Sequence, residues 1–138
     1  MAIAFIDTSV LLRFLLKEPG AYPHLEKFKK IYASELLKVE ALRAIDRLRI
    51  QNNWSKEEVA LRIQLLTASS SAIHFIPIQV SILRRASEPF PTLVGTLDAI
   101  HIATALLTQI QSKEELLFIT HDRNQGLAAQ AAGLRVAT

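Results

Sequence analysis

Asp7, Glu40, Asp98 and Asp122 are scattered through a chain that is otherwise half apolar, and three of them stand where an apolar run gives way to a helix-like pattern. Carboxylates brought together at such junctions repel one another unless a cation lies between them. Taken singly, each has an ordinary role. Asp7 and Asp122 suit helix N-caps, Asp98 in a first turn favours the helix dipole, and Glu40 is solvated or paired with Arg43 or Arg47. Gathered in one crevice, the four would protonate or open the site unless a divalent ion offset their charge. Hard oxygen ligands suit Mg2+, with Mn2+ as the second choice. Zinc fits poorly, because the chain has no cysteine and no histidine pair at i, i+4. Such a cluster can orient a phosphodiester and activate a metal-bound water, so the chemistry expected is hydrolysis of a nucleic-acid backbone. No P-loop, GxGxxG, GxSxG or HExxH competes with it.

Short strands and helices must bring these acids together. Residues 2–6, AIAFI, read as a strand ended by Asp7, Thr8 and Ser9, after which VLLRFLL has helical spacing up to Pro19 and Gly20. That helix is apolar nearly all round, which predicts burial in the core or at a subunit contact. A second helix is expected over Tyr22 to Ile31. A third begins at Ser34, with Leu37, Ala41, Ile45 and Leu48 on its inner face and Glu40 on the shoulder. Asn52 and Asn53 stop it, and Ser55 with Glu58 makes a capping-box start for a fourth.

Residues 73–78, IHFIPI, read as a strand that Pro77 places at an edge or ends early. Helix resumes around Val80 to Ser87. After a loop marked by Pro89, Pro91 and Gly95, Thr96 opens a helix with Ala99, Ile102, Ala103 and Leu106 inward. LLFIT at 116–120 is a clear strand, followed by Asp122 and a helix that stops at Gly133; LeuArgVal near the end is a last short strand. The alternation predicts an α/β fold with a mostly parallel sheet of four or five strands covered on both faces, a three-layer α/β/α sandwich. In such sheets ligands bind beyond the carboxyl ends of the strands, which is where Asp7 and Asp122 fall.

The 138 residues, 50% hydrophobic and 21% charged, suffice for one domain over 1–138 with its own core. The start, MAIAFIDTS, carries no basic leader, so a cytoplasmic protein without a membrane anchor is expected. Net charge is only +3, yet Lys27, Lys29, Lys30, Lys38, Arg43, Arg47 and Arg49 crowd the first third. They either meet phosphates or form solvated helix faces.

FIDTSVLLRFL at 5–15, SELLKVEALRAI at 34–45, LDAIHIATAL at 97–106 and FITHDRNQGLAAQAAGLRV at 118–136 together resemble the signature regions of PIN-domain ribonucleases, above all VapC-type toxins of prokaryotic toxin and antitoxin pairs. The likeness runs the length of the chain in order. It implies a PIN-like fold and an Mg2+-dependent or Mn2+-dependent endoribonuclease in which Asp7, Glu40, Asp98 and Asp122 are catalytic metal ligands. Thr8, Ser9 and Thr120 fall where the family often keeps hydroxyls, which implies a secondary part in binding water or phosphate; local capping explains Thr8 and Ser9 equally well. Arg43 contacts phosphate or holds Glu40, while His101 is expected to pack or to support an acid rather than act as a base. The same resemblance implies a small VapB-type antitoxin as partner, a homodimer and RNA as substrate. Two other functions compete: a phosphoacceptor receiver-like signalling domain, and a catalytically silent module that binds RNA or protein.

Overall fold

A computed structural model describes residues 2–138. Five strands, β1 (Ile3–Ile6), β2 (Ile31–Ser34), β3 (His74–Ile76), β4 (Leu116–Ile119) and β5 (Arg135–Ala137), form one sheet in the order β3-β2-β1-β4-β5. Every neighbouring pair is parallel. The helices are α1 (Thr8–Leu15), α2 (Leu36–Gln51), α3 (Lys56–Ser70), α4 (Val80–Ala86), α5 (Thr96–Ser112) and α6 (Arg123–Ala131).

Side chains alternate across a strand, and β1 shows what that does to the core. Ala4 and Ile6 point into a cluster with Val10, Leu11 and Leu15 of α1, Leu37, Ala41 and Ile45 of α2, and Leu66 of α3. Ile3 and Phe5 point the other way, onto Ile102 and Ala105 of α5 and Ala128 and Ala129 of α6. The outcome is three layers, with both faces of the sheet covered as its continuous apolar strands require. On the second face Phe5 stacks on Phe118, its register partner in β4, with ring centroids 5.8 Å apart. Full burial of a ring of this size contributes about 1.5–3 kcal/mol.

Two expectations need correction. Tyr22 to Ile31 is not a helix: it holds only a short 3-10 turn at Leu25–Lys27, and its end becomes β2. Leu25 and Phe28, which have helical spacing with Ile31, pack instead as an irregular cover on the α1/α2 core, and Ile31 packs there from the first position of β2. The following helix therefore starts at Leu36, because Ser34 is the last residue of β2; the Ser34 hydroxyl still accepts the Leu36 N–H at 3.1 Å. Elsewhere the boundaries agree with the sequence. Ser55 caps α3 through the Glu58 N–H at 3.1 Å, β3 is an edge strand ending just before Pro77, and Gly133 supplies a positive φ of 106° after α6.

This strand order fixes where a ligand can bind. The chain builds outward from β1 to β3 on one side and then crosses to β4 and β5 on the other, so its direction switches between β1 and β4. A crevice opens at the carboxyl ends of those two strands.

Candidate active site

The four acids line a single cavity of about 460 Å³ at that crevice, together with Thr8, Ser9, Arg43, Arg47 and His101. Asp7 follows β1 directly. Its N–H bonds Ile119 of β4 (3.3 Å), which carries the strand pairing one residue further, and its carboxylate caps α1 through the Val10 N–H (3.4 Å). Ser9 Oγ donates to Asp7 Oδ1 at 2.6 Å, and Thr120 Oγ1 donates to Oδ2 at 2.9 Å. Asp7 is only 4% exposed. Burial pushes its carboxyl above the usual carboxylate range, although bonds from Ser9 and Thr120, the nearby His101 ring and the Val10 N–H pull the other way.

Thr120 is the junction of this wall. Its hydroxyl accepts the Asp122 N–H at 3.0 Å and also lies 2.9 Å from Gln125 Oε1. One hydroxyl has one proton, and the buried carboxylate of Asp7 is the stronger acceptor. Gln125 Nε2 is buried without a partner, so we assign the Gln125 amide in the flipped orientation, with its NH2 donating to Thr120. Ser9 Oγ also receives the His121 N–H at 2.9 Å, which ties α1 to the loop after β4. Asp122 is exposed and caps α6 through the Gln125 N–H at 3.1 Å.

The opposite wall comes from α2 and α5. Thr8 Oγ1 donates to Glu40 Oε1 at 2.6 Å, and His101 Nε2 lies 2.5 Å from the same oxygen. His101 is 1% exposed, and its Nδ1 is buried with no partner. An Nδ1–H would be left unmet there, so Nε2 carries the hydrogen toward Glu40. Burial raises the Glu40 carboxyl, but the bonds from His101 and Thr8 outweigh it and leave the group below its ordinary value. Arg43 does not pair with Glu40; it stands exposed on the rim.

Asp98, half-buried in the first turn of α5, differs from the other three. Among the described residues, no hydrogen bond reaches its carboxylate. Burial raises its pKa first, the charge of Asp122 second; Asp7 and Glu40 add to the rise, and only His101 opposes it. Three carboxylates therefore press on a fourth across one cavity. An all-oxygen donor set with such a deficit of positive charge fits a hard divalent cation. Among the described residues, no three acidic or histidine side chains are yet closed into a cage around one point.

All eight residues singled out from the sequence thus lie on or directly behind one cavity, Thr120 being the one behind it. Gln125 is the residue that sequence reasoning missed. Its signal was a polar side chain on the Ala128 and Ala129 face of a helix, where an apolar one belongs.

A model of the PIN domain matches residues 4–131. The chain belongs to the PIN domain family. PIN domains are generally nucleases, and the position of the acids in this PIN domain accords with that chemistry. No curated protein matches the chain in sequence. Among solved structures it is similar to VapBC2 from Rickettsia felis bound to a DNA fragment from their promoter, with TM-score 0.68 and 16% identity over 98% of this chain and 97% of that one. A toxin-antitoxin complex from Klebsiella pneumoniae gives TM-score 0.66 and 19% identity, covering 98% and 96%. A Pyrobaculum aerophilum protein gives 0.63 and 18%, covering 98% and 83%. At these identities the likeness establishes the fold. The β3-β2-β1-β4-β5 order also sets the PIN domain apart from receiver domains, whose sheets run 2-1-3-4-5.

Proposed function

We propose that this chain, as one PIN domain over residues 1–138, is an endoribonuclease dependent on Mg2+, with Mn2+ as the alternative ion, and is a VapC-type toxin. The observation that carries this is the meeting of Asp7, Glu40, Asp98 and Asp122 on one cavity at the switch between β1 and β4. In this reading the four carboxylates hold the ion, which when bound offsets their charge and activates water for attack on a phosphodiester. Asp7 is held by Ser9 and Thr120, and Glu40 by Thr8 and His101, so their oxygens are fixed before substrate arrives. Arg43, free on the rim, is placed to meet the RNA backbone.

Replacement Asp98→Asn should lower RNA cleavage by at least about 100-fold, roughly 3 kcal/mol of transition-state stabilisation, with the fold intact by circular dichroism. Cleavage at the wild-type rate would sink the nuclease assignment in favour of a silent binding module.

The similarity to VapBC2 and to a toxin-antitoxin complex supports a small VapB-type antitoxin as partner. No helix among the described residues is long and apolar enough to cross a membrane; the cytoplasm is the proposed location because RNA is there. For the expected homodimer α1 offers chiefly the exposed Phe14, because its Val10, Leu11 and Leu15 are spent on its own core. Exposed Leu83 and Leu93 on a cavity of about 570 Å³ between α4 and α5 are the proposed contact. Sedimentation equilibrium showing only monomer at high concentration would remove it.

A further inference from the structure

A second cavity, of about 480 Å³, adjoins the acidic one and shares Ser9, Leu12, Ala44, Arg47 and Asp122 with it as a common wall. Its character is different. Beyond that wall it is lined by Arg13, Leu16, Glu18, Leu48 and His121. Neither Arg13 nor Arg47 has an ion-pair partner among the described residues, although Glu18 lines the same space. On α2, Arg47 stands four residues after Arg43, so two like charges lie one turn apart on the rim at some cost to the helix. Half-buried Arg13 is held in place: a Cβ at Gly20 would meet its Nη1 at 3.3 Å, and Gly20 adopts a φ of +79° that side chains disfavour. The chain thus folds a glycine back over the guanidinium. Behind the arginines the floor is apolar, made of Leu12, Leu16, Ala44 and Leu48.

We propose that this cavity is a subsite for the nucleotide next to the scissile phosphate of a single-stranded RNA, with Arg13 and Arg47 on its phosphate and the leucines beneath its sugar and base. The inference rests on the nuclease assignment above. An RNA strand crossing the shared wall would pass from acids that require a cation to arginines that require an anion.

The test measures binding of a mixed-sequence single-stranded RNA of about twelve nucleotides by fluorescence anisotropy across a salt series in Mg2+, with the full chain. The doubly substituted Arg13→Ala, Arg47→Ala protein should bind about ten-fold more weakly. Its slope of log affinity against log salt should be shallower by about 0.7, the contribution of the one single-strand phosphate that is no longer neutralised. Arg84→Ala with Arg85→Ala, on α4, removes the same charge elsewhere and should leave the slope unchanged. If the two double variants behave alike, the subsite is wrong while the nuclease assignment stands on the Asp98→Asn result. If the wild-type chain neither binds nor cleaves RNA, both fall together. Loss of folding is excluded by Arg13→Lys with Arg47→Lys, which keeps the charge and should recover most of the slope.

Discussion

The wall of the cavity built by β1 and β4 and the wall built by α2 and α5 both end in buried or half-buried carboxylates, yet they hold them by different means. On the first, the hydroxyls of Ser9 and Thr120 and the Val10 N–H hold Asp7, with Gln125 behind Thr120, and its pKa lies above the ordinary value. On the second, an imidazole and one hydroxyl hold Glu40 below its ordinary value, while Asp98 beside it has no hydrogen-bond partner among the described residues and lies above. Neutral donors fix a carboxylate without cancelling its charge, so the first wall is rigid and still deficient in positive charge. The second wall is divided: Glu40 is already served, and Asp98 depends on whatever enters the cavity. A cation would therefore be oriented by Asp7 and recruited most strongly by Asp98.

Asp98→Asn gives the largest change in activity, and it should leave resistance to urea unchanged or slightly improved, since no hydrogen bond is removed and one repelled charge disappears. Thr120→Val attacks the rigid wall and should do the opposite. It strips partners from Asp7 and from the Asp122 N–H at once, at a cost of about 1–3 kcal/mol of stability in urea denaturation. Stability unchanged by this substitution would show that the hydroxyl network is incidental.

A smaller effect follows from pH. Asp7 has its folded pKa raised, so the folded state binds the proton more tightly than the unfolded one. Its contribution to stability is full below the unfolded pKa and is lost as pH rises through the folded pKa. Metal-free protein should thus lose stability as pH rises through that window, and Asp7→Asn should flatten the loss. Glu40, lowered in the fold, contributes with the opposite sign: its share is present above the unfolded pKa and disappears as pH falls through the folded one. Thermal melts of both proteins across pH, without divalent ions, separate the two contributions; equal slopes would contradict the assignment to Asp7.

Much of this architecture is legible in the sequence. Asp7, Asp98 and Asp122 stand at element junctions that capping chemistry marks, and the inward positions of α5 follow a helical period without interruption. What failed was β2. Four residues are too few to show a period of two, and Leu25, Phe28 and the strand's own Ile31 happen to fall at helical spacing. Pairing with β1 and β3 on either side decided the matter, and such pairing is invisible to a local window. Gln125 was hidden for a related reason: only the position of Thr120, on another element, explains a buried amide in an alanine-rich helix. The pairing of Glu40 with His101, 61 residues later, likewise needed the fold.

The pairing of β1 with β4 joins Ile3 to Leu116, 113 positions later in the chain. During synthesis the first strand must wait for its neighbour until most of the polypeptide has left the ribosome, because the crossover cannot close sooner. The Thr120 bond to Asp7 forms later still. A nascent chain interrupted anywhere before that point lacks one wall of its acidic cleft, so translation itself sets the moment at which the cleft is complete.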